Sequence, residues 1–147
     1  MSITRLSGPH NPELVALLLD RAAFLPTYDR ALIEAIFRQR RTAAGVAAVF
    51  NVPASTMRRR ILSIACRCFS PSYAFVAQCR DTWPPTTRRV ATALVLGGLP
   101  MREASLQLGL TLHVTRIHRD VILTMVSTAT SLGAVDPAAA LARRSCA

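Results

Sequence analysis

Apolar residues recur every three or four positions through most of the chain, the spacing that places side chains on one face of a helix. Proline, aspartate and threonine divide this pattern into short segments, because these residues favour helix starts. In the first half, Pro12 is predicted to open one helix, Asp29 to cap a second and Thr42 to cap a short third. A turn over residues 51–53 then leads into a fourth helix over residues 54–68.

The second half of the chain shows the same pattern. Pro71 is predicted to start a helix that connects the two halves, and Pro84-Pro85 marks a break before a helix from Thr86 to about Leu96. No stretch of sequence alternates between apolar and polar residues as a half-buried strand does. We therefore expect an all-α protein.

An internal repeat adds the most information. Residues 42–61 align without a gap with residues 100–119, at a constant offset of 58 positions. Each segment is predicted to form a helix, a tight turn and a second helix. The aligned pairs include Ala47 with Ser105, Phe50 with Leu108, Asn51 with Gly109, and Val52 with Leu110.

The residue types at each turn suit two helices that cross at a steep angle. Ala47 and Ser105 are small enough for close approach, and Asn51 and Gly109 adopt a positive φ at low cost. The second helix of each segment must bury one face. We expect that face to contain Met57, Ile61 and Ile64 in the first segment, and Val114, Ile117, His118 and Val121 in the second.

The segment Arg30–Leu62 resembles the DNA-binding helix-turn-helix of bacterial and phage transcription regulators, in particular the one in the C-terminal domain (region 4) of sigma factors. The resemblance rests on the helix that starts at Asp29, the Arg40-Arg41 link, the core Ala-x-x-Phe-Asn-Val-Pro-x-x-Thr-Met and the trailing Arg60-Ile61. Ala91–Val121 resembles the same unit more loosely. Thr115 stands where the family usually has an apolar residue, so we expect Val114 and Ile117 to take over the packing and the second recognition helix to be rotated or modified.

The resemblance implies two tri-helical helix-turn-helix units in tandem, joined by a connecting helix and preceded by an N-terminal helix. The expected divisions are an N-terminal arm and helix over 1–28, a first unit over 29–69, a connector over 70–85, a second unit over 86–133 and a tail over 134–147.

In such a unit the second helix enters the major groove, while the preceding helix and the turn contact phosphates. The groove-facing set that the resemblance implies is Ala54, Ser55, Arg58 and Arg59 in the first unit and Leu112, His113, Arg116 and Arg119 in the second. Within that set, the base-reading candidates are Ser55, Arg58, Arg59, His113, Arg116 and Arg119. The phosphate candidates are Arg40, Arg41, Thr42, Arg60 and Arg102.

The charge of the chain favours a polyanionic partner. The 147 residues carry 18 basic side chains, all of them arginine, against 8 acidic ones, a formal net charge of +10. A GC-rich genome would explain arginine in place of lysine, but not the excess of positive charge. No acidic residue lies between Glu34 and Asp81, a stretch that contains eight arginines.

The sequence gives little support for catalysis or for a metal site. It has no glycine-rich phosphate loop, no paired carboxylates and no Ser/His/Asp set, so we expect no enzyme activity. We expect no metal and no cofactor, because the cysteines and histidines lack the spacing of metal ligands. These residues are Cys66, Cys68, Cys79, Cys146, His10, His113 and His118.

We expect a regulator that binds double-stranded DNA and represses its own operon. We expect it to be cytoplasmic, since there is no secretory signal and no apolar stretch long enough to span a membrane. The sequence leaves open whether one chain reads two half-sites or a homodimer does. We favour the homodimer, formed through the N-terminal helix or through the uncharged helix Val121–Leu132, where Ile122, Met125 and Val126 are expected to make the contact. The alternative function is an adaptor or antiactivator that engages RNA polymerase or another regulator. A sigma-like factor and a protein that also binds RNA are two further hypotheses.

Overall fold

The computed structural model describes residues 12–133, and over that range the chain is all-helical with no strand, as expected. The chain divides between Phe69 and Ser70 into two compact units. The first unit contains α1 Pro12–Ala22, α2 Thr27–Ile33, α3 Ala43–Phe50 and α4 Ala54–Cys68. The second contains α5 Pro71–Cys79, α6 Pro85–Ala91, α7 Met101–Leu108 and α8 Leu112–Ser131.

Proline and threonine set several helix starts as predicted. Pro12 opens α1 and Pro71 opens α5. α6 starts at Pro85, one residue before the predicted Thr86. Thr42 caps α3, since its Oγ1 accepts a hydrogen bond of 3.0 Å from the backbone N–H of Gly45. α4 spans the predicted range, 54–68.

The prediction that Asp29 caps the second helix is wrong. α2 begins at Thr27, and no side chain of the described residues caps it. Asp29 is buried, and its carboxylate accepts hydrogen bonds from Arg60 Nη2 at 3.1 Å and from Arg67 Nη2 at 2.7 Å. Because a buried carboxylate requires such partners, Asp29 links α2 to α4 and helps to orient α4 within the first unit.

The repeat extends beyond the segments aligned by sequence. α2 and α6 both continue into one wide π-helical turn, at Glu34–Arg38 and at Thr92–Leu96, again 58 positions apart. Each π turn is followed by a residue with positive φ, Arg40 at 54° and Gly98 at 64°. Equivalent hydrogen bonds close the two links: Arg41 N–H to the Ala35 carbonyl at 2.9 Å, and Leu99 N–H to the Ala93 carbonyl at 3.1 Å.

Helix α5, which the sequence predicts as a connector, is the counterpart of α1. Leu18 in α1 and Val76 in α5 are 58 positions apart, and both are fully buried. α1 packs against α4 and the first π turn, and α5 packs against α8 and the second π turn. Each unit therefore contains the same four helices in the same order.

The predicted register of α8 is wrong. Ile117 and Val121 are 48% and 46% exposed, and Val114 and His118 are only partly buried. The residues that α8 buries are Thr115, Ile122, Val126 and Ala129. Two of them, Ile122 and Val126, were expected to be available for a dimer contact; they belong to the core of the second unit.

The hydrogen bonds of Thr115 explain why α8 keeps the same register as α4. Its side chain is fully buried, and its hydroxyl donates to the Thr111 carbonyl at 2.9 Å and accepts from Ser105 Oγ at 2.9 Å. The equivalent positions of the first unit hold Met57 and Ala47, both buried. A hydrogen-bonded hydroxyl pair in the second unit thus replaces an apolar pair in the first, and α8 needs no rotation.

Candidate nucleic-acid interface

The core of the first unit fixes which face of α4 is exposed. Met57, Ile61 and Ile64 are 1%, 0% and 2% exposed, so the predicted inward face is confirmed. Because helical residues three and four positions apart share a face, the opposite side of α4 is formed by residues outside that set. This outer face consists of Ser55, Thr56, Arg59 and Ser63, all exposed.

The turn before α4 holds this outer face in place. Asn51 adopts a left-handed conformation, with φ 54° and ψ 45°. The N–H of Val52 donates to the Ala47 carbonyl at 3.0 Å. Gly109 closes the equivalent turn with φ 67°, and Leu110 N–H donates to the Ser105 carbonyl at 3.0 Å. Both units therefore present their last helix after the same tight turn.

Arg59 lies at the centre of the outer face of α4. Arg58 is also exposed and lies at one edge of that face. Neither guanidinium has a carboxylate within 4.0 Å among the described residues. Since a guanidinium presents five donors in a planar fork, both side chains are available to an external acceptor.

Arg40 and Arg41 lie in the link before α3 and are exposed as well. Arg41 Nε donates to Gln39 Oε1 at 3.1 Å, and neither arginine pairs with a carboxylate of residues 12–133. Thr42 Oγ1 is the acceptor for Gly45 N–H, so its hydroxyl proton can still be donated to a ligand. These three residues place donors at the start of α3.

Arg60 differs from its neighbours because it has partners within the first unit. Its Nη2 donates to Asp29, and its guanidinium carbon lies 4.7 Å from the centre of the Tyr28 ring. Tyr28 in turn contacts Phe50 edge to face at 5.2 Å. The Arg60 side chain is 52% exposed, so it retains accessible surface, but its position is set by these contacts.

The equivalent face of the second unit has different chemistry. At a distance of 58 positions, Thr56, Arg59 and Ser63 correspond to Val114, Ile117 and Val121. The centre of the face, charged in α4, is therefore apolar in α8. α4 carries four arginines and no acid, whereas α8 carries two arginines and one aspartate.

The predicted polar residues of the second unit do not all lie on this face: Arg102 is on α7, and Arg119, predicted to face the groove, is 58 positions after the buried Ile61. His113, Arg116 and Arg102 are exposed. Arg119 is partly buried and donates from both Nε and Nη2 to Asp120, at 3.1 and 2.9 Å. Leu112 is partly buried in the first turn of α8, so the second set forms a less continuous basic surface than the first.

Two polar residues of the α4 face, Thr56 and Ser63, were missed by the sequence reasoning. They lie three positions before and four positions after Arg59, on its own face. The inward set Met57, Ile61 and Ile64 already defined the register, so the same spacing could have identified them. Asp29, which orients Arg60 and Arg67, had no local signal because its partners are 31 and 38 positions away.

Comparison of the chain with family models, curated proteins and solved structures gave no match.

The described residues offer few candidate groups for a metal site or for a membrane-spanning helix. Within residues 12–133, no three His, Cys, Asp or Glu side chains come together as metal ligands would. Cys68 is buried, Cys66 and Cys79 are partly buried, and His118 Nδ1 lies 3.0 Å from Thr87 Oγ1. Cys146 and His10 lie outside the described residues. None of the described helices has the length and apolar character required to cross a membrane.

Proposed function

We propose that the first unit binds double-stranded DNA by inserting the outer face of α4 into the major groove, and that the protein is a transcription regulator that represses its own operon. The observation that carries this proposal is the exposure of Arg58 and Arg59 on a helix whose register is fixed by a buried apolar face. The major groove admits a helix, and a guanidinium can bind guanine O6 and N7 with two parallel hydrogen bonds.

The positions of the residues on and around α4 support two kinds of DNA contact, to base edges and to phosphates. Arg59 and Ser55 lie on the outer face and are proposed to contact base edges, with Thr56 and Ser63 beside them. Arg40, Arg41 and Thr42 lie at the start of α3 and are proposed to contact phosphates, which position the protein but do not read sequence. Arg60, held by Asp29, is proposed to contact the backbone from the edge of the helix.

The test is binding of the purified chain to the DNA upstream of its own coding sequence and to a scrambled duplex of the same composition. Fluorescence anisotropy would be measured from about 50 to 200 mM salt, where six neutralised phosphates give a slope of log affinity against log salt of about −5. We expect the upstream duplex to bind at least about a thousandfold more tightly at the higher salt.

Arg59→Ala is compared with Arg30→Ala, a matched control. Both variants lose one positive charge from the first unit, but Arg30 lies on α2 and pairs with Glu34 at 3.0 Å. We expect Arg59→Ala to reduce discrimination between the two duplexes by about 1 to 3 kcal/mol. Arg30→Ala should lower both affinities slightly and leave their ratio unchanged.

Two results would contradict the proposal. Equal, steeply salt-dependent binding to both duplexes would show an electrostatic contact without sequence reading. No binding to either duplex would favour the adaptor or antiactivator, in which the chain engages a protein. A reporter placed behind the upstream DNA tests the regulatory part, since repression should require Arg59.

A further inference from the structure

The outer side of α8 carries an apolar stripe that the described residues of its own unit, 70–133, leave largely exposed. It comprises Val114, Ile117, Val121, Met125 and Leu132, spaced three, four, four and seven positions apart. Ile117, Val121 and Leu132 are 48%, 46% and 78% exposed, whereas Val114 and Met125 are partly buried. This spacing places the five residues on one side of α8 and its C-terminal end, with Thr128 between Met125 and Leu132.

Comparison with the first unit indicates that the stripe is not a by-product of the fold. The two units share the same helices, turns and register, yet α4 has Thr56, Arg59 and Ser63 where α8 has Val114, Ile117 and Val121. An isolated exposed apolar residue needs no explanation, but a continuous patch marks an interaction site. α8 also extends to Ser131, five residues beyond the equivalent of the end of α4, and Leu132 follows it.

We propose that this stripe is a dimer interface, and that its occupant is the same stripe of a second copy of the chain. Charge is the first reason: each chain carries a formal +10, so two copies repel each other least where they meet through a surface of low charge. α8 has no ionisable residue from Val121 to Ser131. An acidic protein partner would instead be attracted to the arginines of α4.

The second reason is self-complementarity. A two-fold interface uses the same patch on both subunits, so a charge at its centre would face its own copy. Ile117 and Val121 avoid that repulsion, and a helix stripe of this spacing can pack against an identical helix. The third reason rests on the proposed function: with one arginine-centred helix per chain, a second copy supplies the second reading helix that a two-half-site operator requires.

Sedimentation velocity of the full-length protein without DNA tests the interface, at concentrations from about 1 to 200 µM because dimerisation depends on protomer concentration. We expect a monomer–dimer equilibrium in this range. Ile117→Arg should weaken it by at least about tenfold, because it places two like charges at a desolvated two-fold contact. Val121→Arg should act in the same direction.

Leu123→Arg is the matched control. Leu123 lies on α8 and is 47% exposed, nearly the same as Ile117, but it is on the other side of the helix from Val121. It should leave the equilibrium unchanged, and circular dichroism of all three variants should show the helix content of the parent protein.

Two outcomes would overturn the dimer. A wild-type monomer throughout the concentration range would leave the stripe to a different protein. Equal weakening by Leu123→Arg and Ile117→Arg would place the interface elsewhere. Because no DNA is present, a dimer can be observed even if the upstream duplex is not bound, so failure of the proposed function and failure of this inference are distinguishable.

Discussion

The buried carboxylate of Asp29 gives the sharpest test of how α4 is held. Its side chain is 9% exposed, and it accepts hydrogen bonds from Arg67 at 2.7 Å and from Arg60 at 3.1 Å. The two arginines are not equivalent, because the Arg67 side chain is 20% exposed and that of Arg60 is 52% exposed. Replacing Asp29 by alanine leaves a largely buried guanidinium without its carboxylate.

The expected magnitude follows from that difference in exposure. A hydrogen bond to a charged group contributes about 1.5 to 3 kcal/mol when it is shielded from water, which applies to Arg67. An exposed ion pair contributes about 0 to 1 kcal/mol, which applies to Arg60. Asp29→Ala should therefore lower the free energy of unfolding by about 2 to 3 kcal/mol, most of it through Arg67.

Urea denaturation followed by circular dichroism measures this free energy. A double-mutant cycle of Asp29→Ala with Arg67→Ala should give a coupling of about 1.5 kcal/mol or more, and the cycle with Arg60→Ala a coupling below about 1 kcal/mol. If the free energy of unfolding of Asp29→Ala lay within about 0.5 kcal/mol of the parent value, the substitution would resemble a neutral surface substitution. That result, or equal coupling to both arginines, would refute the assignment of Asp29 as the link between α2 and α4.

Three further predictions concern the backbone and the second unit. Arg40→Gly should raise the free energy of unfolding by up to about 1 kcal/mol, and Gly98→Ala should lower it by a similar amount, because both positions require a positive φ. Thermal melts measure both changes, and the reverse signs would exclude the left-handed conformation. Thr111→Ala should cost about 1 kcal/mol through loss of the cap on Val114 N–H, measured by the same melts, with an unchanged melting temperature as the contrary result. Thr115→Val removes the Oγ1 that accepts the Ser105 hydroxyl proton, but that single proton can instead be donated to the Met101 carbonyl, 2.8 Å away, so urea denaturation should give a loss of only about 1 kcal/mol; a loss near that of Asp29→Ala would mean that the hydroxyl pair contributes more than a neutral hydrogen bond.

Local residue chemistry made much of the first unit predictable. Thr42 and Pro12 act on the residues next to them, and Met57, Ile61 and Ile64 form an inward face that only helical spacing is needed to recognise. The local sequence predicts Asp29 as a cap, but the same side chain also suits a buried ion pair. Only the folded chain brings Arg60 and Arg67 to it.

The second unit was harder to predict because polar residues occupy its core. Thr115 looks like a surface residue until Ser105, ten positions earlier, is placed beside it. An inward face that includes Val114 and Ile117 also satisfies the helical spacing of apolar residues, so the sequence alone does not distinguish the apolar stripe of α8 from its core. The sequence does not predict the positive φ of Arg40, since arginine lacks the preference of glycine or asparagine for that region.

The replacement of the Ala47 and Met57 pair by Ser105 and Thr115 also bears on how a duplicated chain folds correctly. Two similar helical hairpins in one polypeptide can exchange partners during folding, and such mispairing is a characteristic failure of repeat proteins. α7 packed on α4 would place the Ser105 hydroxyl against the Met57 thioether, a weak acceptor. α3 packed on α8 would set Ala47 beside Thr115, with one hydroxyl missing and the volume changed. Each hairpin is thus chemically mismatched to the other, and this mismatch favours the pairing of every helix with the neighbour from its own half of the chain.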